Sequence, residues 1–176
     1  MPDIVGTGEP GTRRAIEMTR VARELGADAA LVVPPFYFRC NREAVLRHYR
    51  AVAREGGLPL LLYNIPVFTK VELTPDLVQE LASEPNNVGV KDSSGSLRNF
   101  RNLTTRIPSD DFTIVTGSDG LLFHTLVAGG DGCVSPGANV APEWFVALWD
   151  AFQQGQWTGA WAVQEKIEAM HRGIGY

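Results

Sequence analysis

The sequence predicts an α/β protein in which short parallel strands alternate with helices. Three observations carry that prediction. The apolar runs are short, β-branched and not interrupted by polar residues, as strands covered by helices on both faces are. They end at Val5, Val33, Tyr63, Lys91 and Thr116, roughly 25–30 residues apart, the length a strand–helix–strand unit needs. Polar residues gather just past those ends, at Thr7, Tyr37, Asn64, Lys91-Asp92-Ser93-Ser94, Gly117-Ser118-Asp119, Ser135 and Asn139. An open doubly wound sheet and a (β/α)8 barrel both place their sites there, so the pattern by itself leaves both open.

Each element has its own signal. Residues 3–6 form the first strand. Residues 12–25 carry Ala15, Ile16, Met18, Val21, Ala22 and Leu25 at helical spacing, with Gly26 as the stop. A strand over 29–33 is broken by Pro34-Pro35, and Asn41 caps a helix to residue 54. The third strand is 60–63. Thr74 followed by Pro75 opens a helix to 82. The fourth strand is 88–90, and Ser96 caps a helix to 106. A strand at 112–116, a helix at 119–128 and a short strand at 132–134 follow. Pro142 opens a helix to 152, and residues 157–170 form the last.

Composition narrows the function classes. The chain has 176 residues, 44% hydrophobic and 20% charged, enough for one good core and ordinary for a soluble globular protein. A net charge of −4 and a pI near 5.4 argue against a nucleic-acid or anionic-membrane surface. No run is long and apolar enough to span a bilayer, and the first residues do not read as a signal peptide. Cys40 and Cys133 stand alone, which fits a reduced, cytoplasmic chain. His48, His124 and His171 lie far apart without ligand spacing, so no metal site is expected; His48 and His171 read as helix-surface residues.

Two features bear on chemistry. Of 16 basic residues only three are Lys, and one of them, Lys91, ends the buried-strand run Asn87-Val88-Gly89-Val90-Lys91. Only a lysine can lose its proton there and attack a carbonyl. Alternatively, Lys91 snorkels from the strand end to pair with Asp92 or Asp119. The second feature is Gly6-Thr7-Gly8-Glu9-Pro10-Gly11, a glycine fingerprint between strand and helix. A dinucleotide site also needs an acid at the end of the next strand, and that strand ends Val32-Val33-Pro34-Pro35, so a tight glycine turn is preferred.

Leu61-Leu62-Tyr63-Asn64-Ile65-Pro66 closes the third strand and Val88-Gly89-Val90-Lys91-Asp92-Ser93-Ser94-Gly95 the fourth. Together they resemble the dihydrodipicolinate synthase / N-acetylneuraminate lyase family of class I aldolases and lyases. Supporting matches are Gly6-Thr7-Gly8, Pro35-Phe36-Tyr37, Gly117-Ser118-Asp119 and Ala138-Asn139-Val140-Ala141-Pro142. The resemblance implies a partial (β/α)8 (TIM) barrel over residues 1–154, of about six parallel strands with alternating helices, and the start of a C-terminal helical region over 155–176. The first strands and part of the C-terminal helices of the family's barrel have no counterpart in it.

The resemblance also implies roles. Lys91 forms a Schiff base with pyruvate or another 2-keto acid, and the iminium serves as electron sink without any further cofactor. Tyr63 relays protons, and Tyr37 matches an aromatic that in the synthases reaches a neighbouring subunit's site. Val134, Ser135, Gly117 and Phe68 fall at substrate-binding positions. The partner is a small 2-keto acid, with no nucleic acid or membrane, and the full-length form is a homo-oligomer, dimer or tetramer. The synthases that join pyruvate to aspartate semialdehyde carry an Arg two residues after the Pro of the tyrosine segment, where this chain has Phe68. Phe cannot hold a carboxylate as a guanidinium does. The expectation is therefore a 2-keto-3-deoxy sugar acid aldolase or dehydratase-like lyase. The alternatives are 4-hydroxy-tetrahydrodipicolinate synthase and a truncated, inactive partner of a full-length homologue.

Overall fold

A computed structural model describes residues 2–107 and 111–174. Six strands lie side by side in chain order, all parallel. They are β1 (Ile4–Gly6), β2 (Ala29–Val32), β3 (Leu60–Asn64), β4 (Asn87–Asp92), β5 (Thr113–Thr116) and β6 (Gly132–Cys133). The helices are α1 (Thr12–Glu24), α2 (Arg42–Glu55), α3 (Pro66–Thr69), α4 (Pro75–Ala82), α5 (Leu97–Arg106), α6 (Leu122–Val127), α7 (Pro142–Gln153) and α8 (Trp157–Ile174). A doubly wound sheet reverses its strand order at a switch point. This order never reverses, so the sheet is a curled half-barrel, and the open dinucleotide-type sheet is ruled out.

Local chemistry explains most boundaries. The Asn41 side chain accepts from the Ala44 amide at 2.9 Å and starts α2, and Ser96 accepts from Asn99 at 3.1 Å to start α5. Thr74 sits at the N-cap of α4 without a side-chain bond, leaving Pro75 to set the first turn. The helix expected at 119–128 splits into a 3₁₀ turn (Asp119–Leu121) and α6. The short helix α3 and a 3₁₀ turn at Pro136–Asn139 had no periodic signal, since four residues make barely one turn. The last two residues of the C-terminal region, 175 and 176, lie outside the described residues.

Strand alternation sorts the side chains. Ala30, Val32, Leu60, Leu62, Val90 and Ile114 point to the helix side, where they join Val45, Tyr49, Val52, Leu77, Leu81, Phe100 and Leu103 in the main core. A smaller core holds Leu122, Leu126, Phe145, Leu148 and Ile167 between α6, α7 and α8. Arg42, Arg50 and Arg54 of α2 interleave with Glu80 and Glu84 at the edge of α4, with N···O distances of 2.5–3.3 Å. The hydrogen bonds to these arginines hold both glutamates below their ordinary pKa.

One irregularity sets the pairing of the central strands. Leu60 pairs with Asn87 and Leu61 with Gly89, so Val88 is unmatched, a β-bulge. From there the register runs Leu62–Val90, Tyr63–Lys91 and Asn64–Asp92. Gly89 suits this close approach, because a Cβ there would lie 2.6 Å from the Thr113 carbonyl oxygen. Six strands of an eight-stranded barrel leave two unpaired edges, and Ile4 and Val5 of β1 are each 41% exposed, since among the described residues β1 pairs only with β2.

Candidate active site

Lys91 and Tyr63 are register partners on adjacent strands and point to the face opposite the main core. Lys91 is 9% exposed, and its Nζ lies 4.2 Å from the centroid of the Tyr63 ring. No carboxylate is within ion-pair distance of it among the described residues. The snorkelling alternative needed Asp92 or Asp119, and both are engaged elsewhere. Asp92 accepts from Asn64 Nδ2 at 2.6 Å and from the Ser94 hydroxyl at 2.9 Å. Asp119 accepts from the Gly137 amide at 3.3 Å and lies 3.3 Å from His171 Nδ1.

Asn64 shapes the strand exit. It is fully buried, donates to Asp92, and accepts from the Leu73 amide at 2.9 Å, so it ties the ends of β3 and β4 to the loop before α4. Gly117 leaves room beside the amine: a Cβ there would stand 2.9 Å from Lys91 Cε and 1.8 Å from Ser93 Oγ. Ser93 went unremarked as an individual residue in the sequence, yet its hydroxyl oxygen is buried with no hydrogen-bond partner. The available signal was its place two residues beyond Lys91, on the same side of the chain.

The remaining candidates divide. Ser135 is buried and Val134 is 43% exposed, both just after β6. Burial pushes the neighbouring Cys133 thiol up to about 11, so it stays protonated and is no nucleophile at neutral pH. Phe68 is 76% exposed and shares a cavity of about 390 Å³ with Tyr63, Val33, Phe36, Ile65 and Thr69. Tyr37 is not brought to the lysine. It is 86% exposed, packs its ring on Phe38 at 4.9 Å, and holds a positive φ of 80°.

Two histidines correct the reading from sequence. His48 is 1% exposed rather than on a helix surface, because α1 packs over that face of α2. Burial drops its pKa to about 4. His171 is half-buried, because the side chain of Asp119 sits beneath α8. Among the described residues no three His, Cys, Asp or Glu side chains converge as metal ligands, and no helix is long and apolar enough to cross a membrane.

Consecutive parallel strands thus carry a buried lysine over a tyrosine at their C-terminal ends, the end at which a (β/α)8 barrel places its site. The chain belongs to the Dihydrodipicolinate synthetase family, whose profile matches residues 1–175. It is 36% identical over 174 residues to the 4-hydroxy-tetrahydrodipicolinate synthase of Methanosphaerula palustris, covering 99% of this chain and 60% of that protein. To the synthase of the same name from Alcanivorax borkumensis it is 38% identical, covering 99% and 59%. Among solved structures it superposes with a TM-score of 0.94 and 33% identity on YagE, a prophage protein of E. coli K12 from the dihydrodipicolinic acid synthase family in complex with pyruvate. The match covers 98% of this chain and 59% of YagE. The pyruvate-complexed, chloride-inhibited dihydrodipicolinate synthase of Acinetobacter baumannii gives 0.92 and 36%, covering 98% and 59%. The chain thus spans about 60% of the length of the relatives it matches.

Proposed function

We propose that Lys91 forms a Schiff base with pyruvate and that the chain provides the covalent centre of a 4-hydroxy-tetrahydrodipicolinate synthase-type condensation. The observation that carries this reading is the Lys91–Tyr63 pair: a buried amine with no carboxylate partner, 4.2 Å from a phenol ring. The free amine attacks the ketone carbon, water leaves, and an iminium remains. The iminium withdraws electrons from C3, which gives up a proton to form an enamine. The enamine carbon then attacks the aldehyde of the second substrate. Tyr63 is placed to move protons to and from the reacting atoms. Tyr37, strained and exposed, suits contact with a second subunit of a homo-oligomer.

The similarity to 4-hydroxy-tetrahydrodipicolinate synthases favours the synthase over the sugar-acid lyase expected from Phe68. The lyase stays as a second reading because of one observation. Phe68 puts an apolar ring on the Tyr63 cavity where an arginine would recognise a carboxylate.

The test is borohydride reduction of the purified chain with pyruvate, followed by peptide mass analysis. The expected result is a reduced pyruvyl adduct confined to Lys91. Turnover with aspartate semialdehyde supports the synthase, and cleavage of a 2-keto-3-deoxy sugar acid supports the lyase. A folded chain that forms no adduct sinks the catalytic reading and leaves an inactive partner of a full-length homologue.

A further inference from the structure

Ser93 and Gly117 meet just beyond the ends of β4 and β5, on the face that carries Lys91. The strand ladder continues there for one more residue. The Ser93 amide donates to the Asn64 carbonyl and the Gly117 amide to the Asp92 carbonyl, each at 2.8 Å. Both backbones are therefore fixed to the sheet. Lys91 pairs with Val115, and Ser93 and Gly117 each lie two residues further along, on the same side.

Gly117 does not owe its identity to its backbone. Its φ lies outside the left-handed region, so other residues could adopt it. What a side chain would meet is the site itself. A Cβ would fall 1.8 Å from Ser93 Oγ, 2.9 Å from Lys91 Cε and 3.0 Å from Ser93 Cβ. The hydroxyl and the end of the lysine stem thus crowd one spot over the bare Cα. A substrate-binding role for Gly117 needs that spot open, and the protein's own atoms already fill it.

Ser93 supplies the second observation. Its hydroxyl oxygen is buried with no hydrogen-bond partner. An unpaired buried hydroxyl works against folding, so hydrogen bonding does not account for a serine here. Its place against Gly117, beside the lysine stem, does. The lysine is placed by packing, with the Tyr63 ring on the β3 side and Ser93 and Gly117 on the β5 side.

We propose that Ser93 and Gly117 are positioning residues for Lys91. The hydroxyl, seated over the bare Cα of Gly117, is a stop that keeps the lysine stem toward β3 and its Nζ over Tyr63. The role in catalysis rests on the Schiff-base reading of Lys91. An amine held in one place meets the ketone carbon at a fixed angle, and a displacement of about 1 Å can cost about 10²-fold in rate.

The test follows the position of the lysine and its reaction separately. The chain has three lysines, and Lys70 and Lys166 are exposed. In a chain labelled with 13C at the lysine ε carbons, the Lys91 methylene should resonate upfield of the other two, shielded by the Tyr63 ring. Ser93→Ala, which only removes an atom, should move that signal toward the other two without lowering the midpoint of urea unfolding. The same variant should slow borohydride trapping at saturating pyruvate about 3–10-fold, with the half-saturating pyruvate concentration unchanged. Gly117→Ala should slow it about 10²-fold. Combining Gly117→Ala with Ser93→Gly moves the stop from one strand exit to the other, and should restore the signal and bring the rate to within about 3-fold of the parent. If Gly117→Ala does not fold, Ser93→Ala still decides. The proposal is overturned if Ser93→Ala leaves both signal and rate unchanged. It is also overturned if half-saturation rises while the saturating rate holds, which would make these residues substrate contacts, or if the folded double variant stays as slow as Gly117→Ala. A parent that traps no pyruvate overturns the Schiff-base reading instead, and the Lys91 signal then decides the positioning by itself.

Discussion

The middle of the sheet and its two edges differ in how far each is completed by its neighbours. β3 and β4 are matched over five residue pairs, while β5 and β6 are matched over two. Leu60 and Leu62 in the middle are fully buried, whereas Ile4, Val5 and Val134 at the edges are 41–43% exposed. Both edges carry shallow apolar cavities of about 320 Å³, one beside β1 and α1 and one between β6 and α7. The candidate residues divide along the same line. Lys91 and Tyr63, assigned to bond making, stand on the finished middle. Val134 and Ser135, assigned to substrate binding, stand beside an unfinished edge. Under the proposed function, forming the imine and selecting its partner would depend on different parts of the molecule.

The strongest way to break that comparison is at the lysine. Lys91→Arg keeps the charge and removes the nucleophile, so borohydride trapping with pyruvate should fall to background, with the thermal unfolding profile retained. Any remaining adduct on another residue would place the chemistry outside the middle strands. Tyr63→Phe keeps the ring under the amine and removes only the hydroxyl. A loss of about 10²–10⁴-fold in the rate of pyruvate C3–H exchange, read by deuterium uptake, is expected for a proton relay. An unchanged exchange rate would reduce Tyr63 to a packing partner.

Two further outcomes measure stability. Leu62→Ala in the middle should cost about 2–5 kcal/mol in urea unfolding, and Val5→Ala at the edge less than about 0.5 kcal/mol. Equal losses would mean that the edge of β1 is covered in solution. Between those extremes lies a pH effect at His48. Its folded pKa of about 4 is below the unfolded value of 6.5, so the folded state resists protonation. That contribution is fully present above pH 6.5 and is lost as pH falls toward 4, about 3 kcal/mol in all. In a His48→Gln variant that part of the acid sensitivity should be gone.

Much of this was legible in the sequence, for reasons that differ by residue. The parallel strands declared themselves through apolar runs at a regular interval, and Asn41 and Ser96 marked helix starts that the structure keeps. The Lys91–Tyr63 pair was legible because two segments had to agree. His48 was not, since helical spacing identifies one apolar face but not how far a neighbouring helix extends over its margin. The exposed place of Tyr37 agrees with an aromatic expected to reach a neighbouring subunit, whereas its positive φ was not legible, because sequence does not state the backbone angles of a loop. The expectation about substrate rested on Phe68 alone, while the relatives matched along nearly the whole chain are 4-hydroxy-tetrahydrodipicolinate synthases.

The unmatched Val88 has a consequence for how such a chain can change. Counted on from Leu60–Asn87 with Val88 paired in its turn, Tyr63 would stand opposite Val90, which faces the main core. The bulge therefore acts as a frame setting inside the sheet, and everything after it is read in that frame. A sheet that paired Val88 with Leu61 would leave every functional side chain in the sequence, yet set the tyrosine opposite Val90 instead of the lysine. A descendant paired in that way would pass an inspection of its motifs and fail at the chemistry, so the place of the bulge is as informative about activity as the identity of the residues after it.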